Sequence, residues 1–398
     1  MKKFLSVFVL ISIIISCIHI TAFAQGNEVI MLVGNQNMLV NGEVKNISST
    51  SPVLYPYISS SRVLVPLRAV SEAFGAEVGW NGETKTATIK YNGKTASITK
   101  DSPLLDIDGQ QLQLDADSVI IYGSFFLPLR AVAENILGKH IEYVVDGNDR
   151  VIVITDYVPD ADSLAMLAEN GAEQLNGAVD SSRNGLSDDG NYYYINGRAY
   201  VVSKHAKKQG GVCTAENCPL CGQEIDIPII SFNYKLTEDY IIKEMIENDL
   251  LSLMEPVMIN DQEVYIRREV AEEFKLIINE ITEKGYKINS ISTFRIAEMD
   301  FVTELMAKAR GSEAGILNTA FHPNGLAVDI NPEQNPLVYV GSDGYAAERE
   351  KRYSLTDPIS PEIHFNSHVV VETFKKHGWE WGLWSSSSDY MHFSMGEY

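Results

Sequence analysis

Positive charge is scarce in this chain: 32 lysines and arginines stand against 53 acidic residues, a formal net charge of -21. Nucleic acid or an anionic wall polymer would be repelled by that field. Neither is expected to bind through bulk electrostatics, and any such contact must be local. Long apolar runs are also missing after the first 24 residues. No later stretch approaches the roughly 20 apolar residues of a membrane span, so no span is expected in the mature chain. A third absence is the His-Glu-x-x-His pattern, which would place two imidazoles and a general base on one helix. Without it, His364 and His368, one helical turn apart, have no acid following the first histidine as a general base and are read as solvated or capping side chains.

What is present is ordinary for a globular protein, 45% hydrophobic and 21% charged, and 398 residues suffice for about two or three domains of the usual size. The opening "MKKFLSVFVLISIIISCIHITAFAQG" has two lysines, an uncharged apolar run and then Ala22-Phe23-Ala24. This is the pattern of a secretory signal peptide over residues 1–24, with the mature start near Gln25 and the protein secreted or associated with the cell wall. The alternative takes "IISC", residues 14–17, as a bacterial lipobox that would make the protein a lipoprotein anchored at Cys17.

Residues 28–156 contain an internal repeat. "RVLVPLRAVSEAFGAEVGWNGETKTATIK" (62–90) is echoed by "FFLPLRAVAENILGKHIEYVVDGNDRVIVIT" (125–155). In each copy a short apolar run meets proline, a helix pattern follows, and a polar turn leads into an alternating strand, giving a strand-helix-hairpin unit. These residues resemble the copper amine oxidase N-terminal-like domain, an accessory module on exported proteins of Gram-positive bacteria. The resemblance implies no catalysis. His140 is the one histidine of the segment and cysteine is absent from it, too few donors for the several imidazoles of a copper site. A structural or wall-attachment role is expected.

Residues 157–234 read as a linker with a cysteine-rich segment. A helix pattern over 164–175 gives way to "NGAVDSSRNGLSDDGN", a turn-forming composition. Asn196-Gly197 between "YYYI" and "RAYVV" is a strong hairpin signal. Cys213, Cys218 and Cys221 follow with spacing C-x4-C-x2-C, and His205 lies just upstream. Three thiolates and an imidazole could close a structural zinc knuckle. A disulfide plus one free thiol is the alternative in an oxidising space. Neither would be catalytic, because a closed cysteine site leaves no open coordination position.

From residue 235 the pattern turns helical. Residues 268–288 keep helical apolar spacing and reach the stop signal Gly285, "INSISTFR" reads as a strand ending at Arg295, and a last helix is expected over 366–377. Between them lies "TAFHPNGLAVDIN" (319–331), with His322 and Asp329 seven positions apart. Read as a strand, this stretch puts Leu326, Val328 and Ile330 on one face and Asp329 on the other. The acid could then line a cleft beside His322, where a carboxylate and an imidazole suit a divalent metal.

"FHPNGLAVDIN", followed some sixty residues later by "WEWGLWSSSSDYMHF", resembles the D-Ala-D-Ala carboxypeptidase family of zinc peptidases, which includes VanY-type enzymes and the L-alanyl-D-glutamate endolysins. The resemblance implies His322, Asp329 and His392 as ligands of a catalytic Zn2+ and Asp389 as the catalytic base. Arg295 stands where the family has a Tyr-Arg or Phe-Arg step, and could bind a substrate carboxylate or stabilise an oxyanion. A surface pair with Glu298 is its bland alternative. One departure is that Ala320 replaces the family's serine two residues before the first ligand, which puts substrate choice in doubt without removing a ligand.

Two imidazoles and one carboxylate are independently the three-ligand set of a catalytic zinc, with a fourth position left for water. Asp389 and His392 are three apart, which in a strict strand points them to opposite faces. Asp389 is therefore expected in the turn entering the strand, after the serine run 385–388. Trp379, Trp381 and Trp384 are expected to pack rather than to stack on sugar.

The expectation is an α+β protein: the repeat module (28–156), the cysteine-bearing linker (157–234), and an α+β zinc peptidase with a small antiparallel sheet (235–398). Its substrates would be peptidoglycan stem peptides, cut first of all as a D-alanyl-D-alanine carboxypeptidase. An endopeptidase of the L-Ala-D-Glu type is the alternative within the same chemistry. A catalytically inactive wall-binding protein is the alternative outside it, against which the four intact positions speak.

Overall fold

Both copies of the repeat fold into the same order of elements. Strand Arg62–Pro66 runs into helix Leu67–Ala73 and the hairpin Glu77–Asn81 with Thr86–Tyr91. Strand Ser124–Pro128 runs into the helical segment Ala131–Ile136 and the hairpin His140–Asp146 with Asp149–Thr155. The copies meet through their first strands, which pair antiparallel with Val65 opposite Leu127, Leu64 opposite Pro128 and Pro66 opposite Phe126. Val65 and Leu127 hold the same position in "VLVPLRAV" and "FFLPLRAV", so this register places a local two-fold axis between the repeats. Each hairpin then extends into its own five-stranded antiparallel sheet.

The computed structural model describes residues 27–49, 51–202, 227–233, 239–294, 317–318, 321–335, 337–339, 368–383 and 387–395. The fold is mixed α and β, and every strand pairing among the described residues is antiparallel. No helix among them is long and apolar enough to cross a membrane.

Helix Ala161–Gly177 starts at Asp160, whose carboxylate accepts from the Ser163 amide at 2.8 Å. It buries Ala168, Ala172 and Leu175 against Ile30, Leu39, Val151 and Val153 of the first sheet. Asn196 and Gly197, with φ of 50° and 80°, make the tight turn expected between Tyr192–Ile195 and Arg198–Val202. That hairpin presents Asn196, Arg198 and Tyr200 to the buried carboxylate of Asp249, which accepts from them at 3.2, 2.8 and 2.6 Å. Asp249 lies on helix Tyr240–Leu251, whose Ile242, Ile246 and Leu250 join the apolar core of the front part. The first helix after residue 235 thus packs on the front part.

A second core fills the C-terminal part. Helix Ala271–Glu283 turns Phe274, Ile277 and Ile281 inward to meet Val370 and Phe374 of helix His368–Lys376, with Val328, Ile330 and Phe393 from the sheet beneath. Phe374 stacks on Phe393 with centroids 4.1 Å apart, and Trp379, fully buried, meets Phe374 edge-on. Packing is thus what Trp379 does. The helix expected over 268–288 opens as a 3-10 turn, Arg268–Val270, and stops at Glu283. Gly285 (φ 86°) reverses the chain, its amide donating to Thr282 and that of Tyr286 to Ile281, which satisfies two terminal carbonyls.

Glu280 clasps the two helices together. Its carboxylate accepts from Lys284 at 2.6 Å and from Lys376 at 2.9 Å. The Lys284 bond foremost, then Lys376, holds it down at about 2, against an ordinary value of 4.5. A carboxyl depressed in the folded state stabilises it above the unfolded value and loses that contribution as pH falls through the folded one. Urea unfolding of Glu280→Gln beside the unaltered chain should therefore show a stability gap at neutral pH that closes between pH 4.5 and about 2. The side chain keeps 24% of its surface exposed, so about 1 M salt should shrink the gap.

Candidate metal centre

The centre is assembled on a small antiparallel sheet of strands Ile291–Ser292, Ala327–Ile330, Ser387–Ser394 and Leu337–Tyr339, with Glu380–Leu383 also paired to Ser387–Ser394. Asp329 lies directly opposite His392 in the ladder, so their side chains leave the sheet on the same face. His322 arrives from the turn before its strand, and "HPNG" explains how. Pro323 sits in the first turn of the 3-10 segment His322–Asn324, where its missing amide costs nothing. The Asn324 side chain both accepts from the Ile230 amide at 2.8 Å and donates to the Ile230 carbonyl at 3.0 Å. Gly325 takes the left-handed conformation at φ 63°, and a Cβ there would stand 2.7 Å from the Arg267 amide nitrogen and closer still to the Met254 sulfur.

The three ligand atoms form a nearly equilateral triangle. His322 Nε2 is 3.2 Å from Asp329 Oδ1 and 3.2 Å from His392 Nδ1, and the last two are 3.1 Å apart. A tetrahedron with corners about 2.0–2.1 Å from a central zinc has edges of about 3.3–3.4 Å, so the triangle has nearly the size of one of its faces. His322 Nδ1 donates to the Thr293 carbonyl at 2.7 Å, which leaves Nε2 of the neutral ring without a hydrogen. Its approach to the Asp329 carboxylate then brings two lone pairs together. A cation between them removes the conflict, and the donor set fits Zn2+.

All three side chains are buried, Asp329 to 1% exposure. This corrects the expectation that the acid lines a cleft: the strand Ala327–Ile330 is buried on both faces. Burial pushes the Asp329 carboxyl up, but with no metal bound His322 and His392, when protonated, pull it further the other way, well below the usual carboxylate range. The site thus keeps an anion in the interior. Among the described residues this is the one group of three or more histidine, cysteine or acidic side chains placed to hold a metal.

Asp389 also differs from expectation. It lies within strand Ser387–Ser394, not in the turn before it, opposite both Leu337 and Gly382. A register shift in the pairing between Trp381 and Gly382 lets it do so. Trp381 is half-buried and its indole donates to the Tyr390 carbonyl at 3.1 Å. Arg295, Ala320, His364, Trp384 and the group Cys213, Cys218, Cys221 and His205 lie outside the described residues.

The supporting residues were not singled out from the sequence. Thr293 holds His322 through its carbonyl while its hydroxyl accepts from the Tyr265 amide at 3.1 Å. Asn331 (φ 48°) accepts from the amides of Asn289 and Ser290 at 2.7 and 3.1 Å and donates to the Lys287 carbonyl at 2.9 Å, tying the end of the Asp329 strand to the preceding loop. Asparagine just past a strand is a usable signal for such a left-handed turn. Thr293 gives none, since it acts through its backbone.

A buried His-His-Asp triangle on an antiparallel sheet defines a candidate mononuclear metal centre with three protein donors. Residues 317–395, which contain all of it, match the family profile described as D-alanyl-D-alanine carboxypeptidase, and residues 46–154 match the one described as copper amine oxidase N-terminal domain. Each match covers less than half of the chain and states what that segment is similar to. No curated protein and no solved structure matches the chain.

Proposed function

We propose that the chain is an exported zinc peptidase that removes the terminal D-alanine from peptidoglycan stem peptides. The observation that carries the reading is the triangle of His322, Asp329 and His392, with edges of 3.1–3.2 Å, inside the segment that matches the carboxypeptidase profile. Those three side chains would hold the Zn2+. When bound, the ion supplies a Lewis acid that acidifies water and polarises a carbonyl. Asp389 takes the proton from the attacking water and delivers it to the nitrogen of the leaving D-alanine, as the C–O bond forms and the C–N bond breaks. Thr293 fixes the His322 ring, so that Nε2 keeps its lone pair for the metal.

The front part is proposed to attach the enzyme to the wall. A groove of about 620 Å³ there, with Trp80 and Phe125 on its wall and Arg68 and Glu72 at hand, supports that reading. Wall attachment places the peptidase beside its substrate despite the unfavourable net charge.

The test uses a defined muropeptide ending in D-Ala-D-Ala, incubated with the zinc-loaded mature protein and followed by mass spectrometry. Loss of one terminal alanine is expected. An internal cut would replace the carboxypeptidase reading by an endopeptidase one, and binding to purified peptidoglycan with no release of D-alanine or new amino groups would remove catalysis altogether.

A further inference from the structure

Gly382 is a strand residue whose lack of a side chain is not needed for its backbone. Its φ lies outside the left-handed region, unlike Gly325 or Gly378. What it meets is close packing: a Cβ at this position would stand 2.6 Å from the Asp389 carbonyl oxygen and 3.1 Å from the Cβ atoms of both Asp389 and His392. Glycine inside a strand often marks such an approach, or a bulge.

Here it marks both. Strand Glu380–Leu383 pairs Trp381 with Phe393 and the next residue, Gly382, with Asp389, so one step on this strand spans four on its partner. The inserted residues bend Ser387–Ser394 and break its alternation. In an unbroken strand Asp389 and His392, three apart, would face opposite ways. In this one their Cβ atoms flank a single point, the empty place beside Gly382.

We infer that Gly382 is a positioning residue: the room left by its missing side chain lets the bulged strand bring Asp389 next to His392. This rests on the peptidase reading for the roles of those two side chains. With no side chain, Gly382 has no group that could ligate a metal or carry a proton. It acts by setting where the proton-carrying carboxylate stands relative to a metal ligand.

The experiment compares the unaltered chain, Gly382→Ala and Gly79→Ala, measuring zinc affinity by chelator competition and kcat and KM on the muropeptide. Gly79 is the control, a strand glycine whose added Cβ would find nothing nearer than the Thr88 carbonyl oxygen at 3.9 Å. Gly382→Ala is expected to weaken zinc binding by about tenfold and lower kcat by about 10–100-fold with KM within about threefold, the range seen when the support of a metal ligand is disturbed. Gly79→Ala should change none of these. In an Asp389→Ala background Gly382→Ala should lower kcat little further, as expected of a residue acting through Asp389.

Gly382→Ala with unaltered zinc affinity and kcat would overturn the inference. If that variant does not fold, a crystal structure of the unaltered zinc-loaded protein decides: Asp389 and His392 side chains together on the Gly382 side support it, and on opposite faces overturn it. Failure of the peptidase reading is recognised separately, as an unaltered chain that releases no product. Zinc affinity then still tests the placement of His392.

Discussion

His392→Ala is expected to abolish tight zinc binding and hydrolysis together. Three donors hold the proposed ion, and removing one leaves His322 and Asp329, fewer than a catalytic zinc keeps from its protein. The loss in affinity should exceed the roughly 10–100-fold that follows removal of an outer hydrogen-bond partner, because a ligand itself is gone. Asp329 also loses one of the two imidazoles that offset its burial. Zinc per chain by elemental analysis, affinity by chelator competition and product release by mass spectrometry should all collapse in the one variant. A His392→Ala protein that still carries one zinc with unaltered affinity in this centre would remove His392 from the ligand set.

The same centre shows what a sequence can and cannot disclose. His322 and Asp329 were legible as a pair because an ionisable residue stands inside an apolar run beside a histidine, whereas His392 joined them only through the resemblance of "WEWGLWSSSSDYMHF" to the peptidase family. The Asn-Gly turn at 196–197 and the helix stop at Gly285 were legible because few residues tolerate positive φ. The burial of Asp329 was not, since strand alternation says which face a residue takes and not what later covers that face. The strand position of Asp389 was missed for a related reason. The parity argument assumes a regular ladder, and the irregularity opposite Gly382 is created by pairing with a strand whose register no local pattern announces. Helix Tyr240–Leu251 has an apolar stripe that any core could bury. Its place on the front part is set by contacts from far along the chain: Ile242, Ile246 and Leu250 enter that core, and Asp249 is reached by Asn196, Arg198 and Tyr200.

Asp389→Ala should separate the proton carrier from the ligands. The substitution leaves His322, Asp329 and His392 in place, so zinc content and affinity should stay near those of the unaltered chain. Turnover on the best muropeptide should fall by about 10²–10⁴, the usual size of a general acid–base contribution. The bulge next to Gly382 is defined by backbone pairing, and alanine at 389 keeps the Cβ that packs there, so the strand has no reason to rearrange. Asp389→Asn makes a sharper version, because it preserves size and removes only the ability to take a proton. Loss of turnover with zinc retained in both variants would assign the role. Near-normal turnover in either would sink the mechanism, since Glu380, the other described acid in this final segment, lies on the partner strand, opposite Ser394 and away from the Gly382 to Asp389 contact.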